Sequence, residues 1–240
     1  MSTRVNTLFP PFARIRQETP ADADSRLRDL RSAWDAGRFA EEQICRLVRQ
    51  VFWPGWPKPA RHVVVCAVDQ DANVAGICLN IGQTLARQVE GRVGVIEANL
   101  QTSEFEDVFG VKSASPDNGN GHVPLGDLSH QISNRLWLEP PASFWGEGTQ
   151  DAAPQDVVVE QLRLQFDFAV VHAAPAACSS QALVLGHLCD GVILVLEAHS
   201  THRAVAQTVK DTLIAAKVRV LGAVLSGRTF PVPETFYRRL

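Results

Sequence analysis

Residues 63–86 read VVVCAVDQDANVAGICLNIGQTLA, and this stretch decides the fold class. HVVVCA (62–67) is an apolar run typical of a strand buried on both faces. Residues 74–89 have the apolar spacing of a helix. The turn between them, from Asp69 to Asn73, contains neither glycine nor lysine. Nucleotide enzymes with parallel sheets usually carry a glycine-rich phosphate loop at such a junction, so this turn lacks the usual phosphate-binding groups.

The composition limits the class of protein. The 240 residues, 45% of them apolar and 20% charged, fit one globular α/β domain with appendages. A formal charge of −3 leaves no basic surface for nucleic acid. The chain has no apolar run near the ~20 residues of a membrane helix, and its N-terminus lacks the apolar core of a signal peptide. We therefore expect a cytoplasmic protein that a partner could recruit to the inner membrane.

Strand and helix patterns alternate along the chain. Beyond 62–67, strands are predicted at 92–98, 135–140, 168–173, 191–198 and 218–227. Helices are predicted at 38–52, 74–89, 103–110, 125–133, 157–166, 179–188 and 200–216. This order predicts a three-layer α/β domain over 38–227 with a mainly parallel sheet, which binds ligands at the carboxyl ends of its strands. Residues 1–37 are predicted to form a mobile N-terminal arm, and 228–240 a C-terminal tail.

Three strand ends carry the motifs that point to a family. They read AVDQDANVAG (67–76), IEANLQTSEFEDVFG (96–110) and FDFAVVHAAPA (166–176). In this order they resemble the cytoplasmic tyrosine-kinase (BY-kinase) domains of bacterial capsule and exopolysaccharide systems. Those domains are deviant-Walker P-loop ATPases, as are the MinD septum-site and ParA partition proteins. The resemblance covers residues 38–240 and implies the P-loop NTPase fold.

The resemblance places the first motif on the phosphate loop. Val74 falls where the family has its phosphate-binding lysine, and Ala75 where it has the magnesium-binding serine or threonine. Asp71 and Asn73 fall on glycines of the loop. A phosphate loop needs glycine N–H groups, the lysine and the hydroxyl, so this Walker A motif is degenerate. Either Asp71 or Asn73 is a good N-cap for the helix that follows.

The second and third motifs depart from the family's acidic, metal-facing pattern. Glu97 and Asn99 replace the two aspartates of the second motif, and His172 stands at the acidic position of the third. The simplest role for His172 is a hydrogen bond to a backbone group. With Asp71, Asn73, Val74 and Ala75, these residues form a vestigial nucleotide site, with no metal site and no catalytic residue expected.

Charge argues against a bound polyphosphate. No lysine lies between Lys58 and Lys112, whereas Asp69 and Asp71 add negative charge at the loop. A carboxylate ~5–6 Å from a phosphate charge costs roughly 3 kcal/mol at an effective dielectric constant of 20. A helix N-terminus returns only about 0.3–1 kcal/mol. We therefore expect no cofactor, and ATP with Mg²⁺ only if the site has been remodelled.

Two further features follow from the resemblance. Gln43, Arg46 and Arg49 resemble the Glu-x-x-Arg-x-x-Arg helix through which family protomers pack together. Tyr237 is the only tyrosine and lies in the tail, where family kinases carry tyrosines that a neighbouring protomer phosphorylates. Tyr237 is thus a possible phosphoacceptor, and packing of Phe236 and Tyr237 onto the domain is the alternative.

Three functions remain open from the sequence. The first is a non-catalytic BY-kinase-like protein, a pseudokinase, which acts in exopolysaccharide or capsule biosynthesis by binding a membrane co-polymerase, an active kinase or its own copies. The second is an ATP-binding protein-tyrosine kinase with a remodelled site. The third is a degenerate partition or septum-site ATPase that serves in cell-surface assembly. The missing lysine favours the first function over the second, and the helix with Arg46 and Arg49 favours it over the third.

Overall fold

A computed structural model describes residues 36–53, 59–69, 73–99, 129–140 and 155–227. The seven strands described are β1 (His62–Ala67), β2 (Val93–Glu97), β3 (His130–Ser133), β4 (Leu136–Glu139), β5 (Phe168–Ala173), β6 (Gly191–Glu197) and β7 (Val220–Ser226). The helices described are α1 (Ala36–Phe52), α2 (Val74–Gln88), α3 (Gln155–Gln165), α4 (Gln181–Leu188) and α5 (Arg203–Ala215). None of these helices is both long enough and apolar enough to span a membrane.

The strands form one sheet in the order β3-β4-β2-β5-β1-β6-β7. Every neighbouring pair is parallel except β3 and β4. One face of the sheet packs on α2 and the C-terminal half of α1, and the other packs on α3, α4 and α5. The three-layer, mainly parallel α/β prediction is therefore confirmed. Because β1 lies near the centre, its carboxyl end has β5 on one side and β6 on the other.

One element of the sequence prediction is wrong. Residues 125–133 were expected to be helical, but His130–Ser133 form the edge strand β3, antiparallel to β4. All four side chains of β3 are exposed, so no apolar alternation marks the strand in the sequence. A tight turn at Asn134 and Arg135 connects β3 to the buried strand β4. By pairing with β4, strand β3 supplies hydrogen-bond partners for the backbone groups at that edge.

Several predictions lie outside the described residues. The predicted segments concerned are nearly all of the arm 1–37, the helix 103–110, the N-terminal part of the expected helix 125–133 and the tail 228–240. Two predicted site residues also lie outside: Asp71 of the nucleotide site and Tyr237 of the tail. The remaining elements agree with the prediction to within about three residues at each end.

The core depends on close approach of α2 to the sheet. A Cβ atom added at Gly82 would lie 2.4 Å from Cγ2 of Val95 and 3.2 Å from Cδ1 of Leu136. No real Cβ tolerates the shorter distance, so glycine lets the helix lie directly on β2 and β4. The buried valines of β1 fill both faces of the sheet, and each contributes about 1.5–3 kcal/mol through its burial.

None of the five cysteines forms a disulfide, and three of them are buried. Burial raises the pKa of the Cys66 thiol to about 12. Burial likewise raises the pKa of Cys189 to about 12, and the charge of Asp190 adds to the effect. These two thiols stay protonated at neutral pH and are poor nucleophiles, which fits a structural role.

His62 is a buried titratable group at the start of β1. Its Nε2 lies 3.1 Å from the backbone oxygen of Phe166. Burial lowers the pKa of His62, and Arg163 and Arg61 lower it further, whereas the Phe166 carbonyl and Asp190 raise it. The Asp190 carboxylate also accepts hydrogen bonds from the backbone N–H groups of Arg61 and His62.

We expect the folded protein to lose stability as the pH falls below about 6.5, the ordinary pKa of histidine. Because the folded-state pKa of His62 is lowered, the unfolded chain takes up this proton first and is favoured by acid. When urea unfolding is measured between pH 7.5 and 5.5, the free energy of unfolding should fall less for His62→Asn than for the parent protein. His187→Asn, which changes an exposed histidine, is the control and should keep the parental slope. Equal slopes for both variants would contradict the assignment.

Candidate functional site

The carboxyl ends of β1, β2, β5 and β6 meet at one edge of the sheet, where ligands of such folds bind. The predicted residues Glu97, Asn99 and His172 are all buried there. Asn73 starts the helix that follows β1 and is exposed. The edge therefore carries polar groups. The hydrogen-bond partners of these groups determine whether they can bind a ligand.

Asn73 caps the first turn of α2. Its Oδ1 accepts a hydrogen bond of 3.0 Å from the backbone N–H of Gly76. This selects Asn73 from the two cap candidates that the sequence offered. The next two side chains point into the protein, since Val74 is 2% exposed and Ala75 is fully buried within the apolar cluster beneath α2. The positions that resemble a lysine and a hydroxyl are thus part of the hydrophobic core.

Glu97 and His172 form a buried pair across two neighbouring strands. They are Cα partners in the β2–β5 register, and Nδ1 of His172 lies 2.7 Å from Oε2 of Glu97. The other oxygen of Glu97 accepts a 2.7 Å hydrogen bond from the backbone N–H of Asn99. The sequence predicts a backbone partner for the side chain of His172, and the structure shows that a carboxylate is one of its partners. The burial of both side chains requires such pairing, because an isolated buried charge is costly.

Two bridging residues at this edge were missed by the sequence prediction. Gln181 donates from Nε2 to the Ala98 carbonyl and accepts from the Ala174 N–H, which ties β2 to β5. Thr201 donates to Oδ1 of Asp69 and accepts from the Glu197 N–H, which ties β1 to β6. Thr201 lies just after a predicted strand, so the strand-end rule could have found it. Gln181 carries no such signal.

Helix α1 presents its predicted oligomer residues outward. Gln43, Arg46 and Arg49 are exposed, whereas Val48 and Val51 pack against the sheet. The spacing of three residues places the polar side chains along one stripe of the helix. The described residues also contain no group of three or more His, Cys, Asp or Glu side chains that could hold a metal ion.

Comparison with known proteins identifies the fold. The structure matches the VpsO kinase domain with a TM-score of 0.65 and 18% identity, over 80% of this chain and 98% of that one. This chain has the fold of a BY-kinase domain. It also matches the MinC:MinD complex of Aquifex aeolicus with a TM-score of 0.53 and 16% identity, over 69% of this chain and 67% of that one. The P-loop NTPase fold implied by the motifs is therefore confirmed.

Sequence similarity to a curated protein is local. The chain is 29% identical over 63 residues to tyrosine-protein kinase YwqD of Bacillus subtilis. The match spans about a quarter of each protein, 26% of this chain and 27% of the kinase. No family model matches the chain.

The Glu97–His172 pair should be strongly coupled in stability. Replacing either residue alone with leucine leaves a buried polar partner, and we expect a loss of roughly 3 kcal/mol in the free energy of unfolding. The double substitution Glu97→Leu/His172→Leu removes both polar groups and should cost less than the sum of the single changes. Denaturant unfolding of the four proteins measures the coupling.

The exposed pair Glu160–Arg163 is a suitable control, with a 3.1 Å contact between side chains that are 67% and 40% exposed. Its own mutant cycle should give less than about 1 kcal/mol. Additive effects of the Glu97 and His172 substitutions would show that the buried contact does not link the two strands energetically.

Proposed function

We propose that this protein is a non-catalytic relative of the BY-kinases. It acts in exopolysaccharide or capsule biosynthesis by binding a membrane co-polymerase, an active kinase or its own copies, rather than by transferring phosphate. The fold and the local similarity to a tyrosine kinase support the relationship. The pathway and the partners follow from the resemblance of the motifs.

One observation carries the non-catalytic part of the proposal. The groups that would meet a nucleotide are already used within the protein: Asn73 caps α2, Val74 and Ala75 lie in the core, and Glu97 binds His172. Mg²⁺ requires near-octahedral oxygen ligands, and neither the Ala75 methyl group nor a carboxylate-bound imidazole supplies one. The described residues at this site therefore do not fit Mg-ATP.

Energetics favour the internal contacts over a ligand. A phosphate on the first turn of α2 would have to displace the Asn73 amide, whose removal from a cap costs about 1 kcal/mol. No lysine follows in α2 to repay this cost by attraction, and the nearby Asp69 carboxylate repels an anion. Helix-terminus attraction of about 0.3–1 kcal/mol is too weak to hold a polyphosphate by itself.

The partner-binding part of the proposal rests on α1. A helix surface with two exposed arginines and a glutamine can pair with an acidic surface of another protomer or of a kinase. Gln43 keeps hydrogen bonding but lacks the charge of the family's glutamate, so self-association should be weaker than in the kinases. Assembly with a competent kinase is therefore favoured over assembly of the protein with its own copies.

We expect Mg-ATP and Mg-ADP to bind no more tightly than about millimolar, an affinity near −4 kcal/mol. Isothermal titration calorimetry on the purified protein measures this, with a nucleotide-free injection as the reference. Heat that fits a micromolar dissociation constant would overturn the proposal and would support a tyrosine kinase with a remodelled site.

Val74→Lys should fail to restore nucleotide binding. The substitution returns the family's lysine but places an ammonium where the native side chain is 2% exposed, and Ala75 and His172 still offer no oxygen ligand to Mg²⁺. We expect a loss of stability of roughly 2 kcal/mol or more from the buried charge. Thermal melts with and without Mg-ATP test both effects, and a nucleotide-dependent rise of several degrees would contradict the expectation.

Charge reversal on α1 should weaken assembly. Arg46→Glu/Arg49→Glu replaces two exposed cations, and we expect sedimentation velocity to shift toward the monomer, alone or in a mixture with an active BY-kinase. Arg203→Glu/Lys210→Glu makes the same charge change on the exposed part of α5 and should leave the distribution unchanged. Identical behaviour of the two variants would exclude α1 as the interface.

Tyr237 should remain unmodified when the protein is incubated with Mg-ATP alone, because the described site lacks the groups for phosphoryl transfer. A competent BY-kinase added in trans should phosphorylate it, as intact-mass spectrometry with a Tyr237→Phe control can show. Phosphate on Tyr237 in the first reaction would overturn the non-catalytic proposal. No phosphate in either reaction would remove Tyr237 as a phosphoacceptor.

A further inference from the structure

An open apolar groove lies between α4, with the loop before it, and α5, on the face of the sheet opposite α2. Its volume is about 480 Å³. Small, β-branched and leucine side chains line it: Ala176, Ala177, Ser179, Ala182, Leu183, Ala204, Val205, Thr208, Val209, Thr212 and Leu213. None of these described lining residues is charged, so the groove suits an apolar occupant rather than a nucleotide or an anion.

The groove has room for aromatic rings. A cavity of about 150 Å³ holds one benzene-sized ring, so the volume of this open groove exceeds that of two such rings. Alanines at both sides leave this space where larger residues would have closed the contact between α4 and α5. Exposed apolar clefts of this size on a small domain are commonly binding sites.

The C-terminal segment 228–240 starts within reach of the groove. The backbone N–H of Ala198 binds the carbonyl of Ser226 at 2.8 Å, so the end of β7 lies beside the end of β6. From Ala198 to Ala204, where the groove begins, the chain spans six residues and therefore at most about 22 Å. From Ser226 to Phe236 it spans ten residues and extends up to about 33 Å, which exceeds that distance.

The sequence of this segment, RTFPVPETFYRRL, suits the groove. Phe236 and Tyr237 are adjacent aromatic residues, ten and eleven positions after Ser226, and are therefore within the reach given above. Phe230 is only four positions after Ser226, which limits its reach to about 14 Å. Pro231 and Pro233 restrict the backbone between them, which lowers the entropy lost on docking. Burial of two aromatic side chains supplies the driving force.

We infer that the α4–α5 groove binds the chain's own C-terminal segment in cis, with Phe236 and Tyr237 as the inserted side chains. A docked Tyr237 becomes available to any other protein only when the segment leaves the groove. Docking would therefore regulate access to the tail, independently of whether the nucleotide site is active.

The test uses the single tyrosine of the chain. Full-length protein labelled with 3-fluorotyrosine gives one ¹⁹F signal, from Tyr237. We expect a signal that is broadened and shifted from that of a free peptide of residues 228–240. Ala204→Trp fills the groove from an exposed position of α5 and should move the signal to the free-peptide position. Ala215→Trp, at an exposed position of the same helix outside the groove, should leave it docked.

Three outcomes overturn the inference. A wild-type signal that already coincides with the free peptide, or one that both tryptophan variants leave docked, excludes the groove as the binding site. A docked signal that returns to the free position on tenfold dilution shows binding to a second copy, which contradicts docking in cis. Equal melting temperatures of the two tryptophan variants establish that folding is not the cause of any difference.

Discussion

The first turn of α2 must find acceptors for its backbone N–H groups, because no earlier helical residue can supply them. In phosphate-binding folds a ligand meets this need. Here the Asn73 side chain meets part of it from within, because its oxygen accepts the 3.0 Å hydrogen bond from Gly76. Once the helix start is satisfied in this way, Val74 and Ala75 are free to pack into the core, and the junction becomes a structural element.

Further internal contacts lie across the edge of the sheet. Glu97 and His172 pair between β2 and β5, and Thr201 joins Asp69 to the backbone at the end of β6. Each contact links neighbouring strands at the edge where folds of this class bind their ligands. At the positions that resemble the family's lysine and hydroxyl, the chain has the buried residues Val74 and Ala75.

Much of the fold could be predicted from the sequence. The continuous apolar run 62–67 fixed a central buried strand, and Phe168–Ala173 was predicted with its observed bounds. The edge strand His130–Ser133 could not be predicted, because its four exposed residues have no apolar periodicity. This strand is defined by its pairing with β4. Tertiary hydrogen bonding decided the structure there, and local pattern carried no signal for it.

The candidate site was only partly predictable. Motif order placed Glu97 and His172 at strand ends, but their contact depends on the adjacency of β2 and β5, 75 residues apart in sequence. The choice between Asp71 and Asn73 as the cap depends on the residue at which α2 begins. A sequence pattern locates a helix start only to within one or two residues. Gln181 was missed because its bridge between strands appears only once the sheet is assembled.

The most direct measurement is the free energy of unfolding of Asn73→Ala, with and without Mg-ATP. If the side chain has replaced the ligand at the helix start, the substitution costs about 1 kcal/mol and nucleotide does not restore the loss. An unchanged stability would show that Asn73 does not fill this role. Recovery of the lost stability at micromolar Mg-ATP would show that the junction still accepts phosphate, and would contradict the internal replacement of the ligand.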